Sequence, residues 1–241
     1  MSRAPGFAYN RGESLWKGDP MARYEVLTFD CYGTLIDWEG GMQAALASVI
    51  EKRGLSLSAN EVHKRYAEIE PSIQEGSGRR YVEVMRIGVR EAFRHFGVEV
   101  SEEEAGVFGD TLGAWPKFSD TTEALTEMKN RGYKLVILSN TDENLIRQSI
   151  ETIGVEFDEV ITAQAVGSYK PARGHWDRML ETLGVSKDVV LHVAQSYYHD
   201  VVPATGLGFK MAWINRKGEA PRGTAKPDYE FRDLRGLLGA L

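Results

Sequence analysis

Four short apolar runs constrain the fold of this chain most, because each stops in polar turn residues instead of continuing. They are YEVLTFD ending at Asp30, YKLVILSN ending at Asn140, DVVLHVAQS ending at Ser196 and KMAWIN ending at Asn215. Each is about strand length, aliphatic or aromatic, and without clean polar alternation. That composition suits strands covered on both faces of a parallel sheet. Helical patterns separate the later runs: TTEALTEMKNRG before the second, ENLIRQSIETIG after it, and GHWDRMLETLG before the third. In the first of these, Gly132 falls where a helix C-cap is expected. Such strand–helix alternation predicts a doubly wound α/β parallel sheet.

Between Asp37 and about Pro116 the character changes. GMQAALASVIEKRG, ANEVHKRYAEIE, RRYVEVMRIGVREAFRHFG and SEEEAGVFGDTLGAW read as amphipathic helices, with Met42, Ala45, Leu46, Val49 and Ile50 forming a stripe in the first. The expected organisation is therefore an α/β core over 23–38 and 117–241 around a helical insert over 39–116. The leading segment, 1–22, is rich in Gly, Pro and polar residues and lacks a signal-peptide core. It reads as a flexible extension, with Met21 as an alternative start. In an open parallel sheet, ligands bind at the carboxyl ends of the strands. That rule brings Asp30, Ser139 with Asn140, and Gln195 to Asp200 to one rim, and an insert leaving that rim would form a lid.

Composition excludes several classes of function. Hydrophobic content of 42%, charged content of 27% and a net charge of −6 describe an ordinary globular chain without the basic face that nucleic acid requires. The basic spots HKR at His63 to Arg65 and RKG at Arg216 to Gly218 are short and read as solvated faces. The single cysteine, Cys31, permits no intrachain disulfide or thiolate cluster and reads as a buried small hydrophobe. No run is long enough to span a bilayer, so no membrane partner is expected and a cytoplasmic location follows by default. The glycines of GLGFK do not join a strand to a helix in the dinucleotide manner, which argues against a nucleotide site.

Four segments then acquire meaning together: FDCYGTLID with Asp30 and Thr34, ILSNTDEN with Ser139 and Asn140, YKPARGHW with Lys170, and VAQSYYHD with Asp200. With these in order, the sequence resembles the haloacid dehalogenase superfamily of hydrolases, and within it the L-2-haloacid dehalogenase type, from about Tyr24 to the C-terminus. The resemblance implies a Rossmann-like core with an inserted helical cap, a small carboxylic acid as substrate, and by analogy a dimer. It implies Asp30 as nucleophile, forming an ester that water hydrolyses. Lys170 would keep Asp30 ionised, and Ser139 and Thr34 would supply hydroxyl donors. Asn140 would orient these groups, and Asp200 would fix Lys170 or place the hydrolytic water.

Position 32 bears on the reaction. The family's phosphatases carry an Asp two residues after the nucleophile, because an alkoxide leaving group needs a general acid. Here that residue is Tyr32, a weak acid with an ordinary pKa of ~10 that is suited to shaping a pocket or bonding a substrate. Halides other than fluoride leave without a proton. Those phosphatases also carry an Asp five residues before the last, which helps hold Mg²⁺, where this chain has Gln195. With one acid and one ligand carboxylate missing, no metal and no cofactor is expected.

The substrate-side residues are less sharply marked. An ungapped comparison anchored on HKRYAEIE places Arg65 near an arginine that receives substrate carboxylate or halide. Gln195 and Tyr197 stand where the dehalogenase pattern has Ser and a water-positioning Asn, and Trp176 stands where many relatives have Tyr, an indole that could wall a pocket or cradle an anion with its N–H. His175 and His199 match no family catalytic position and read as loop or surface residues. Three rivals keep parts of this scheme: opening of a strained ring acid, with Tyr32 or His199 as proton donor; a Mg²⁺-dependent phosphatase; and a non-catalytic acid-binding relative.

Overall fold

The computed structural model describes residues 24–76 and 78–241, so the expected extension over 1–22 and the alternative start at Met21 lie outside the described residues. In chain order the strands are β1 (Val26–Phe29), β2 (Lys134–Ser139), β3 (Glu159–Thr162), β4 (Val190–Ala194), β5 (Lys210–Ile214) and β6 (Tyr229–Phe231). They form one parallel sheet in the order β3-β2-β1-β4-β5-β6. The four expected runs are β1, β2, β4 and β5, while β3 and β6 escaped the sequence pattern.

Alternate residues of the inner strands feed two separate cores, which explains why these runs are apolar throughout. Leu27, Phe29, Leu135, Ile137, Leu191 and Val193 join one buried cluster. Val26, Val136, Leu138, Val190 and Ala194 join the other. Around the sheet lie α6 (Thr121–Asn130), α7 (Glu143–Ile153), α8 (Ala163–Val166), α9 (Gly174–Leu183), α10 (Val202–Gly206) and α11 (Leu234–Ala240). Arg131 closes α6, and Gly132 follows one residue later at φ 92°, a left-handed geometry that favours glycine.

Between β1 and β2 comes the helical insert: α1 (Trp38–Lys52), α2 (Ala59–Gln74), α3 (Tyr81–His95), α4 (Glu102–Ala105) and α5 (Val107–Thr111). Asp37 caps α1 by accepting from the Gly40 N–H at 3.1 Å, and all five residues of the expected stripe are buried. Gly88 lets α2 and α3 approach closely, since a Cβ there would lie 2.4 Å from the Tyr66 ring. The chain leaves and re-enters the core at one place. Ile36 bridges Lys117, and Asp37 N–H donates to Pro116 O at 2.8 Å. A second tie comes from Asp142, at the start of α7. Its two carboxylate oxygens accept the Tyr81 and Val82 N–H groups of α3, each at 3.0 Å. Among the described residues no helix is long and apolar enough to cross a membrane.

Candidate active site

Because the sheet is parallel, β1, β2 and β4 deliver Asp30, Ser139 with Asn140, and Gln195 to a common rim. Lys170 reaches into that rim with its side chain wholly buried. Its ammonium donates to Asp30 Oδ1 at 2.9 Å, to Asp200 Oδ1 at 2.6 Å and to Leu138 O at 2.8 Å. Asn140 holds the Lys170 backbone from both sides, accepting its N–H at 2.6 Å and donating to its carbonyl at 3.0 Å. Thr34 donates to Asp30 Oδ2 at 3.1 Å and accepts the Gln195 N–H at 3.0 Å, joining the loops after β1 and β4.

The turn that displays Asp30 depends on Gly33. Its φ of 97° is strained for other residues, and a Cβ would meet the Trp38 indole nitrogen at 2.9 Å and Gln195 Oε1 at 3.0 Å. Arg216 braces the same turn. It donates to Thr34 O at 2.7 Å and pairs with both oxygens of Asp120 at 3.1 Å, so the expected solvated RKG face is in part a structural anchor.

One ammonium shared by two carboxylates makes them unequal. Burial raises the Asp30 pKa; Lys170 opposes this, the Asp200 charge adds to it, and the outcome is raised. Burial also works against the Asp200 charge, but Lys170 and His192 outweigh it and hold Asp200 well below the usual carboxylate range. For Lys170, burial is outweighed by the two carboxylates, and its pKa is raised. Asp200 is thus the fixed anion and Asp30 the more basic of the two. Behind them runs a relay that the sequence reading missed. His192 on β4 lies 2.9 Å from Asp200 Oδ1 and 2.8 Å from Thr28 Oγ1 on β1. With Nε2–H donating to Asp200 and the Thr28 hydroxyl donating to Nδ1, both contacts are satisfied. A histidine inside an otherwise apolar strand was the only available signal.

A cleft of about 750 Å³ opens between insert and core, lined among others by Gln74, Arg79, Tyr169, Lys170 and His199. It reaches Lys170, whose ammonium is hydrogen-bonded to Asp30. Near this rim, Ser139 Oγ, Asp200 Oδ2 and His199 Nε2 are buried without hydrogen-bond partners. Buried polar atoms of this kind mark where a ligand or water completes a site.

The family model of the haloacid dehalogenase-like hydrolases matches residues 24–203. The chain belongs to this family. It is 28% identical over 218 residues to an (S)-2-haloacid dehalogenase of Pseudomonas sp. (strain YL), covering 88% of this chain and 92% of that protein. It is 31% identical over 216 residues to a glyceraldehyde 3-phosphate phosphatase of Methanothermobacter thermautotrophicus, covering 79% and 85%. The L-2-haloacid dehalogenase of Xanthobacter autotrophicus superposes with a TM-score of 0.77 at 21% identity over 90% of this chain and 97% of that one, a likeness of fold.

Within this haloacid dehalogenase-like frame, the substrate-side expectations fare unevenly. The Tyr32 hydroxyl lies 2.9 Å from Ser149 Oγ on α7, its ring is edge-on to Trp115, and burial pushes the phenol above its ordinary range. Gln195 stays at the rim, its side-chain oxygen close over Gly33. Three expectations need correction. Arg65 is half-buried, pairs with Glu68 of its own helix at 2.9 Å and keeps a buried Nε without a partner, so the contact it makes is within α2 and not with Asp30, Lys170 or Asp200. Trp176 is wholly buried in the second core, edge-on to His192, so its ring is core and not cleft wall. Tyr197 also turns inward, its hydroxyl committed to Ala225 O at 2.6 Å.

The histidines differ from expectation as well. His175 is buried at 3.1 Å from Ser139 O, its pKa pushed down to about 3 by burial and then by Lys170. His63 is buried against Trp38 with neither ring nitrogen partnered, so HKR is not a uniformly solvated face.

A divalent cation does not fit these residues. No group of three or more His, Cys, Asp or Glu among the described residues is arranged to hold one. The Lys170 ammonium already bridges Asp30 and Asp200, and Gln195 offers only a neutral amide.

Proposed function

We propose that this chain is a metal-independent hydrolase of small 2-substituted carboxylic acids, 2-haloacids foremost, acting through an ester on Asp30. The carrying observation is a basic carboxylate held by Lys170 and Thr34 with no competent acid two residues away. Tyr32 is engaged with Ser149 and has a phenol made less acidic by burial, so it cannot quickly protonate an alkoxide. A halide makes no such demand. In this reading Asp30 attacks the α-carbon in line, the carbon–halogen bond breaks with its electron pair leaving on the halide, and configuration inverts. Water then attacks Asp30 Cγ, releasing the 2-hydroxy acid and restoring the carboxylate. Ser139 Oγ is a free donor for the substrate carboxylate.

Purified protein should release chloride from chloroacetate and 2-chloropropanoate. One turnover in heavy-oxygen water should place label in the peptide containing Asp30. Absence of halide release across chloro-, bromo- and fluoroacetate would defeat the reading. The likeness to a phosphatase at 31% identity favours a second reading, phosphate ester hydrolysis. Turnover of an aryl phosphate that disappears with chelator would favour it over ours.

A further inference from the structure

The π-helical turn Tyr197–Val201 presents two side chains in different settings. Tyr197 goes to the core, and His199 lies against the cleft that Lys170 also lines. Ser196 Oγ accepts the His199 backbone N–H at 3.1 Å and lies 3.2 Å from His199 Nδ1. One hydroxyl therefore fixes both the turn and the ring. At the ring's other end Nε2 is buried with no protein partner, and Asp200 Oδ2 on the next residue is likewise unpartnered. An orphaned nitrogen beside a cleft calls for a water or a ligand atom.

We propose that His199 Nε2 takes the proton from the water that hydrolyses the Asp30 ester. This inference rests on the covalent reading given under Proposed function. As the water oxygen bonds to Asp30 Cγ, one of its protons passes to Nε2. Collapse breaks the bond between Cγ and the substrate oxygen, and the departing alkoxide takes that proton back. The regenerated Asp30 acid releases the water's second proton to solvent, so ester and water give 2-hydroxy acid, carboxylate and one proton.

The surroundings suit this role. With Nδ1–H donating to Ser196, Nε2 keeps a free lone pair. Burial pushes the imidazole down to about 4, so it is unprotonated near neutral pH; the Asp200 charge favours the imidazolium that forms, and the Lys170 charge opposes it. A base this weak stands at the low end of general-base effects, about 10²-fold.

His199→Gln retains hydrogen bonding but cannot carry the proton. With excess 2-bromopropanoate and rapid quenching, the variant should still give a burst of one bromide per site at the wild-type rate. Its steady-state turnover should fall about 10²-fold, chiefly in kcat, and intact-protein mass should show the ester accumulating on Asp30. The burst itself reports a folded site; should the variant lose its burst with a lowered melting temperature, His199→Asn is carried through the same test. Turnover within about 3-fold of wild type without accumulated ester overturns the inference. So does equal slowing of the burst and of turnover in a variant that melts like wild type. Wild-type protein that gives neither bromide nor adduct refutes the covalent reading itself, and the inference falls with it.

Discussion

Replacing Lys170 with Met tests the centre of the site, because methionine is unbranched and only one atom shorter than lysine and removes its charge. Lys170 makes three hydrogen bonds from a wholly buried position, two of them to carboxylates at 2.9 and 2.6 Å. Removing one partner from a buried ion pair costs about 3–5 kcal/mol, because the remaining charge is left uncompensated. For a chain of this size that corresponds to roughly 6–20 °C in melting temperature. The loss should depend on pH. Asp30 already has a raised pKa through burial and the Asp200 charge, and without the opposing ammonium it rises further. A folded carboxyl with a raised pKa holds a proton that the unfolded chain has released. The stability this proton confers is present at low pH and is lost as pH rises through the folded pKa. The destabilisation relative to wild type should therefore grow between pH 5 and 8, with a slope approaching about 1.4 kcal/mol per pH unit where one proton is exchanged. Urea unfolding followed by circular dichroism at both pH values measures this difference. A loss below about 1 kcal/mol that is equal at both would refute the picture of one ammonium neutralising two buried carboxylates.

Other perturbations separate the parts. The single-turnover halide burst should fail on the acid side with an apparent pKa above the ordinary 3.8 of Asp, since Asp30 must be ionised to attack; a limb at or below that value would contradict its raised pKa. Arg65→Ala should change KM by less than about 3-fold and stability by under about 0.5 kcal/mol, because its ion pair with the exposed Glu68 is a local contact within α2. A much larger rise in KM would return Arg65 to the substrate site. Asp142→Ala should cost about 0.5–2 kcal/mol and speed hydrogen exchange at the start of α3, whose first two N–H groups it caps; unchanged exchange there would deny the tie. Asp120→Asn should cost about 3 kcal/mol or more in a urea melt, leaving Arg216, whose side chain is only 13% exposed, short of a counter-charge. It should also slow halide release, since Arg216 holds Thr34 O; full activity would free the nucleophile turn from that brace.

How much of the fold could be read depended on where each strand lies in the sheet. β1, β2, β4 and β5 are covered on both faces, so nearly every residue in them is buried and the runs are apolar. β3 and β6 are the edges. β3 is four residues long and half-buried at its start, and β6 has three residues with an exposed Glu230 at its centre. An edge strand needs no continuous apolar run, and a charge there discourages pairing with another chain, so the signal that marks a central strand is physically absent. The insert was legible for the opposite reason, since helices with one buried face repeat their apolar residues over many turns.

The candidate site divides along a similar line. Asp30, Thr34, Lys170 and Asp200 converge because three of them follow strand ends and the parallel sheet sends those ends to one rim. That is a rule of topology, and sequence order carries it. Which way a side chain points from a helical turn is decided by packing, and sequence order does not carry that. Residues 197 and 199 differ by two positions in one turn. The larger phenol finds a carbonyl to bond in the core, while the imidazole is held beside the cleft by a serine three residues before it. Arg65 follows the same logic: one helical turn along α2 supplies Glu68, and that near carboxylate engages the guanidinium. The contacts that hold Asp30 are thus the part topology dictates, and the orientations of residues such as Arg65, Tyr197 and His199 are those that packing decides. On the proposed covalent reading, a different leaving group would demand changes at positions such as 32, 195 and 199 while leaving the Lys170 bridge intact.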